Sequence, residues 1–130
     1  TRGNEDCHVI LRGGKAPNYS SEDVDAACAL LKAAGLREQV MIDCSHANSS
    51  KQHQRQIVVA EDVAAQIAAG EARITGLMIE SHLEEGRQDI VDGQRLKPGV
   101  SVTDACISFA QTQPVLQGLA EAVRARRAKG

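Results

Sequence analysis

At 130 residues the chain has the length of one domain, and 42% hydrophobic against 25% charged residues is the balance of a folded globular protein. A formal net charge of −2 sets up no field that would draw nucleic acid or an anionic membrane, and one Tyr, one Phe and no Trp leave little for a base-stacking platform or an antiparallel all-β core. No apolar run is long enough to span a bilayer and no signal-peptide pattern opens the chain, so a cytoplasmic protein is expected, with neither membrane nor nucleic acid as partner.

The chain opens Thr1-Arg2-Gly3-Asn4-Glu5-Asp6 without Met, which suits either a processed start or a piece of something longer. A first strand is predicted over Cys7–Leu11, followed by a turn at Arg12-Gly13-Gly14-Lys15. Ser20 with Asp23 three residues on reads as a helix N-cap, Val24, Ala27, Cys28 and Leu31 as one buried face, and Gly35 as the C′ residue. A second strand, about Gln39 to Cys44, leads into Ser45-His46-Ala47-Asn48-Ser49-Ser50. Asn48 or Ser49 is expected to cap a helix from near Lys51 to Ala69, with Ile57, Ala60, Val63, Ala64 and Ile67 inward and Gly70 ending it. The third strand, Ile74–Ile79, is almost continuously apolar, as a parallel strand covered on both faces should be.

A long connection then runs from Ser81 to Ser101, a length that leans towards function. Thr103-Asp104 is expected to start a short helical turn reaching Phe109. Thr112 is expected to cap a last helix with Pro114 in its first turn and Leu116, Leu119, Ala120 and Val123 on its apolar face. The basic Arg124–Lys129 stretch reads as a solvated helix end. Of the four cysteines, Cys7, Cys28, Cys44 and Cys106, three sit in apolar settings without CxxC spacing, so buried reduced thiols are the expectation.

The order β-α-β-α-β-loop-α predicts an α/β fold with a parallel sheet. Arg12, His46 and Glu80 each follow one strand, 34 residues apart. Equal βα units place their strand ends on one face of the sheet, so the three side chains should meet in one pocket. Three strands make a poor closed core, however. A (β/α)₈ barrel takes about 250 residues, and an open sheet leaves two edges unpaired. The chain therefore calls for a partner or a missing N-terminal half.

Taken singly, His46 is a loop or cap histidine as readily as a functional one, and Asp104 reads as an N-cap. Glu80 differs, because a carboxylate closing a hydrocarbon strand is costly to desolvate unless paired or metal-bound. Together His46, Glu80 and Asp104 are suited to Mn²⁺, Fe²⁺, Co²⁺ or Zn²⁺. Arg12 adds a two-pronged donor for carboxylate or phosphate, Gly13 and Gly14 allow close backbone approach, and Lys15 offers a point charge. His8 is read as a half-buried strand residue and His53 as lying on the exposed face of its helix; His82 stays undecided.

Four blocks carry a resemblance: Cys7–Lys15 with Pro17-Asn18-Tyr19-Ser20, Met41–Gln52, Met78–Gly86 and Ser101–Ile107. In this order they resemble the class I 3-deoxy-D-arabino-heptulosonate 7-phosphate (DAHP) synthases of the microbial feedback-regulated type, and only their C-terminal portion. The resemblance implies that residues 1–130 form a single segment, about three βα units from the C-terminal part of a (β/α)₈ TIM barrel. It implies the condensation of phosphoenolpyruvate with erythrose 4-phosphate to DAHP and phosphate, the opening step of the shikimate pathway. The implied divalent metal is held by a Cys, a His, a Glu and an Asp.

On this likeness His46, Glu80 and Asp104 are metal ligands, Arg12 holds phosphoenolpyruvate, and His46 also touches that substrate; Lys15 joins the substrate-binding candidates. The ligand Cys and the remaining phosphate-binding Arg and Lys residues belong to the N-terminal half of the family, so this segment alone is expected to be inactive, and a homo-oligomer is expected. Cys44 is read as core packing. The competing reading is a non-catalytic half-barrel that self-associates or binds phosphate or metal without turnover. A different phosphoenolpyruvate aldol-type synthase fits the Asp43–Ser50 block less well.

Overall fold

The computed structural model describes residues 2–4 and 6–130. Its elements are β1 (Val9–Leu11), α1 (Ser21–Ala33), β2 (Val40–Asp43), α2 (Arg55–Ala69), β3 (Ile74–Met78), β4 (Ser81–His82), β5 (Ile107–Ser108) and α3 (Phe109–Arg127). Strands β1, β2 and β3 form one sheet in that order, all parallel. The predicted parallel α/β class is therefore what the chain adopts.

Register explains why the strand ends converge. Leu11 pairs with Ile42 and Ile42 with Leu77, so the three strands finish nearly level. An irregularity between Val40 and Met41 leaves Thr75 without a ladder partner. Its hydroxyl donates instead to the Val40 carbonyl at 3.2 Å. Central β2 contributes the wholly buried Val40 and Ile42. Val24 and Cys28 of α1, Val59, Val63 and Ile67 of α2 and Val115 of α3 close over them. On edge strand β1, Val9 and Ile10 remain 40% and 49% exposed.

Helix α1 follows its sequence signals. Ser20 and Asp23 form a reciprocal capping box, with Ser20 Oγ accepting from the Asp23 N–H at 3.2 Å and the Asp23 carboxylate accepting from the Ser20 N–H at 3.1 Å. Gly35, at φ +70°, closes the helix while the Leu36 N–H donates to the Leu31 carbonyl at 2.9 Å.

Helix α2 departs from expectation. It starts at Arg55 rather than near Lys51, and its N-cap, Gln54, makes no side-chain cap bond. Ser50 and Lys51 have φ of +54° and +60°, which no right-handed helix can contain. Asn48 and Ser49 are consequently not caps; both are buried in the loop after β2. His53 lies half-buried in the turn before α2, not on an exposed helical face.

The region after β3 departs further. β4 and β5 pair in parallel, so the stretch from Thr103 to Phe109 is not a helical turn. Gly86 and Cys106 exchange backbone bonds at 2.8 and 3.1 Å, and the Ile107 N–H donates to the Glu80 carbonyl at 3.0 Å. Helix α3 begins four residues ahead of the predicted start, because Ser108 and Gln111 form the capping box. Thr112 is buried inside the helix, and its hydroxyl donates to the Ser108 carbonyl at 2.8 Å and meets Ser81 Oγ at 2.6 Å. The apolar face is rotated accordingly: Val115 and Ala122 are buried with Leu119 and Val123 beside them, while Leu116 is 55% exposed.

The basic end is not wholly solvated. Arg126 donates to the Glu71 carbonyl at 2.9 Å and Lys129 to the Ala68 carbonyl at 2.8 Å, which satisfies the C-terminal end of α2. Cys28, Cys44 and Cys106 are buried, but Cys7 is exposed, and His8 is exposed ahead of β1 rather than half-buried within it. No helix among the described residues is long and apolar enough to cross a membrane.

Candidate metal centre

The site is organised around Asp43, the last residue of β2, whose side chain is 4% exposed. One carboxylate oxygen accepts from the Ser45 N–H at 2.8 Å, and the other lies 2.8 Å from His46 Nδ1 and 3.8 Å from Arg12 Nε. In the neutral ring a carboxylate there favours the Nδ1–H tautomer, whose Nε2 keeps a lone pair for an ion, the arrangement by which carboxylates orient metal-bound histidines. His46 itself sits at φ +49°. That conformation is uncommon for a residue with a side chain. It is held because the His46 carbonyl accepts from the Lys51 N–H at 2.9 Å and the Ser49 hydroxyl at 3.2 Å.

Asn48, wholly buried, ties the first two strand ends together. Its amide donates to the Leu11 carbonyl at 3.1 Å and the Asp43 carbonyl at 2.8 Å, and its oxygen accepts from the Asn18 N–H at 2.8 Å. Asn18 in turn accepts from the Gly13 N–H at 2.6 Å. Gly13 has φ +76°, and a Cβ there would stand 2.8 Å from Ala47 Cβ and 2.9 Å from the Asn48 nitrogen. Only glycine lets the Arg12 loop approach the His46 loop this closely. Gly13→Ala is therefore expected to lower stability by about 2 kcal/mol or more, combining left-handed backbone strain with the clash. A fall in the urea midpoint checks it, and an unchanged midpoint would refute the close-approach argument.

Glu80 emerges two residues beyond β3, half-buried, and Asp104 comes from the exposed turn between Ser101 and Cys106. One ligand atom from each of His46, Glu80 and Asp104 lies within 4.8 Å of the others. Ligands at about 2.1 Å from a shared ion can be no more than about 4.2 Å apart, so small side-chain rotations suffice to gather the three. Two carboxylates this close repel unless a cation sits between them. A nitrogen with two carboxylate oxygens fits Mn²⁺, Fe²⁺, Co²⁺ or Zn²⁺ by donor type.

His46 and Asp104 also line a cleft of about 610 Å³, together with the cationic Arg12, Lys51 and Arg87 and with His53. Three guanidinium and ammonium groups beside a carboxylate cluster suit an anion bound next to a metal. Lys15 is exposed and outside the cleft lining, so the structure does not bring it together with the others. His53 Nε2 lies 3.6 Å from a Glu85 oxygen, and exposed His82 accepts from the Leu83 N–H at 2.8 Å. Burial, with the Asp43 charge behind it, pushes the Cys44 thiol up to about 12. A thiol so reluctant to ionise is a poor metal ligand, in keeping with a packing role.

Residues that sequence reasoning passed over are Asp43, Asn48, Lys51 and Arg87. For Asp43 a signal existed, a carboxylate three residues before a loop histidine. For the others the sequence offered none.

Residues 1–117 match the DAHP synthetase I family. The chain belongs to that family. It is 56% identical over 128 residues to a phospho-2-dehydro-3-deoxyheptonate aldolase of Haemophilus influenzae, covering 98% of this chain and 35% of that one. Against the Phe-sensitive aldolase of that name in Escherichia coli K12 it is 56% identical over 127 residues, covering 98% and 36%. Against a tyrosine-inhibited one in Schizosaccharomyces pombe it is also 56% identical, covering 98% and 36%. A solved phospho-2-dehydro-3-deoxyheptonate aldolase from Francisella tularensis superposes with a TM-score of 0.92 at 50% identity, over 97% of this chain and 37% of that one. The chain thus spans little more than a third of the length of these DAHP synthetase relatives.

Proposed function

We propose that residues 1–130 are the C-terminal part of a (β/α)₈ barrel whose completed form condenses phosphoenolpyruvate with erythrose 4-phosphate, giving DAHP and phosphate at the entry to aromatic amino-acid biosynthesis. The observation that carries this reading is the meeting of His46, Glu80 and Asp104 within 4.8 Å, beside a cleft that Arg12 also lines. The level ends of three parallel strands support the barrel, because loops at that end of such sheets build active sites. Phosphorylated substrates suit a cytoplasmic enzyme.

His46, Glu80 and Asp104 would hold the divalent cation, which supplies Lewis-acid polarisation of the sugar aldehyde. Arg12 offers phosphoenolpyruvate a planar, two-pronged donor, so that C3 of the enol points at the aldehyde carbon. Lys51 and Arg87, the latter paired with Asp89, add positive charge to the lining of the same cleft. The new C–C bond forms between those carbons, water adds at C2, and the C2–O bond to phosphate breaks to leave the ketone. His46, fixed through Asp43, keeps its ring orientation throughout.

Joining the chain to the N-terminal segment its relatives carry should yield Mn²⁺-dependent condensation, while residues 1–130 alone give none. A completed barrel that binds both substrates without turnover would contradict the proposal. In that barrel Arg12→Lys is expected to raise KM for phosphoenolpyruvate by roughly tenfold with a smaller change in kcat, because the fork is lost while the charge is kept. An unchanged KM would remove Arg12 from the substrate site.

A second reading is favoured by the exposed edge at Val9 and Ile10: the isolated segment self-associates as a homo-oligomer without turnover. Sedimentation of residues 1–130 as a stable monomer would dispose of it.

A further inference from the structure

We infer that Gln56 is a positioning residue for Glu80, fixing the direction in which that carboxylate enters the metal cluster. The inference rests on reading Glu80 as a ligand. Gln56 lies in the first turn of α2 and is wholly buried. A buried amide is costly unless both of its ends are bonded. Here both bonds go to the main chain of a single residue: the Glu80 N–H donates to Gln56 Oε1 at 2.7 Å, and Gln56 Nε2 donates to the Glu80 carbonyl at 3.2 Å. Only this orientation of the amide satisfies both.

The two bonds fix the peptide planes on either side of the Glu80 Cα and hence the Cα–Cβ direction. β3 itself ends at Met78, so the ladder of the three-stranded sheet does not hold the Glu80 main chain. Gln56 takes the Glu80 N–H and shares its carbonyl with Ile107 of β5 where the candidate ligand side chain leaves the sheet. Its own position is rigid, because Val59, Ala60 and Val63 of the same helix are core residues. The Glu80 carbonyl accepts a second bond, from the Ile107 N–H at 3.0 Å, and Ile107 lies three residues after Asp104. The Gln56–Glu80–Ile107 chain thereby also ties the Glu80 main chain to the segment that carries Asp104.

The test uses the completed barrel, with Mn²⁺ affinity measured by equilibrium dialysis and the unfolding temperature of the metal-free protein measured alongside. In Gln56→Met the length is kept and both bonds are lost. In Gln56→Glu one oxygen can still accept from the Glu80 N–H while the other faces its carbonyl. Both variants should bind Mn²⁺ roughly ten- to a hundredfold more weakly, the size of effect seen when groups supporting metal ligands are removed. KM for phosphoenolpyruvate at saturating Mn²⁺ should stay within about twofold, because the Arg12 side of the cleft is untouched. A lower unfolding temperature with unchanged Mn²⁺ affinity, or failure of both variants to fold, would make the role purely structural and overturn the inference. Glu80→Gln separates the two levels: if it too leaves Mn²⁺ affinity unchanged, Glu80 is no ligand and the underlying reading fails.

Discussion

Replacing His46 by alanine in the completed barrel is expected to lower kcat by at least about a hundred- to a thousandfold at any Mn²⁺ concentration, with the fold intact. The size follows from what is removed. The imidazole is the one nitrogen donor among three candidate ligands whose donor atoms lie within 4.8 Å. Loss of a fixed electrostatic contact to a developing oxyanion costs roughly that factor, and a weakened Lewis acid adds to it. The ring is half-buried at the cleft surface rather than in the core, so its removal leaves no large cavity. The loop around it is also held without it, through the bonds of Asn48 to the Leu11 and Asp43 carbonyls. Far-ultraviolet circular dichroism should match the parent, and steady-state rates across a Mn²⁺ series should stay flat and low. Recovery of most of the rate at high Mn²⁺ would mean that His46 tunes affinity without being needed for the chemistry.

Asp43→Asn has the second largest expected effect, because it inverts the histidine. The amide keeps one acceptor for the Ser45 N–H, and its other end then presents N–H groups to His46 Nδ1 in place of the carboxylate oxygen now at 2.8 Å. Nδ1 must become the acceptor, the proton moves to Nε2, and Nε2 no longer has a lone pair to offer an ion. Loss of the charge also removes the partner of Arg12 Nε at 3.8 Å. Weakening of Mn²⁺ binding by about ten- to a hundredfold is expected from the orienting carboxylate alone. The wrong tautomer can cost up to about 10⁴ in rate where a histidine must keep one nitrogen free. Proton and nitrogen NMR of the imidazole should report the exchange of tautomer directly. A variant that keeps the Nδ1–H tautomer together with parental metal affinity would show that Asp43 serves the Arg12 loop and not the histidine.

How much of this was legible in the sequence depended on whether a signal was local. The capping box at Ser20 and Asp23, the glycine at 35 and the 3.6-residue rhythm of α1 act within a few residues and were readable. So was the nearness of the strand ends, which puts Arg12 and His46 on one cleft and His46 close to Glu80, because level strands turn an equal sequence interval into a shared end of the sheet. The start of α2 was not readable, since the left-handed backbone at Ser50 and Lys51 is imposed by the folded loop and neither residue type announces it. Strands β4 and β5, two residues each, are too short to show any alternation. The phase of α3 was ambiguous because Val115 and Leu116 are both apolar, and only the capping box at Ser108 selects the face.

At the site, the candidate ligands could be picked out by residue type and position, and the groups that support them could not. Gln56 looks like any polar residue near a helix start until the wholly buried amide is found on the Glu80 main chain. Asn48 looks like a cap and is instead the tie between two strand ends. Supporting contacts of this kind span 24 residues for Gln56 with Glu80 and 37 for Asn48 with Leu11, beyond the reach of any local pattern.

The most direct measurement is anomalous scattering at the manganese edge from crystals of the completed barrel grown with Mn²⁺. One peak is predicted, about 2.0–2.3 Å from His46 Nε2 and from one carboxylate oxygen each of Glu80 and Asp104. A peak that excludes two of these three side chains, or a fully ordered cluster with no peak under saturating Mn²⁺, would contradict the shared-cation centre.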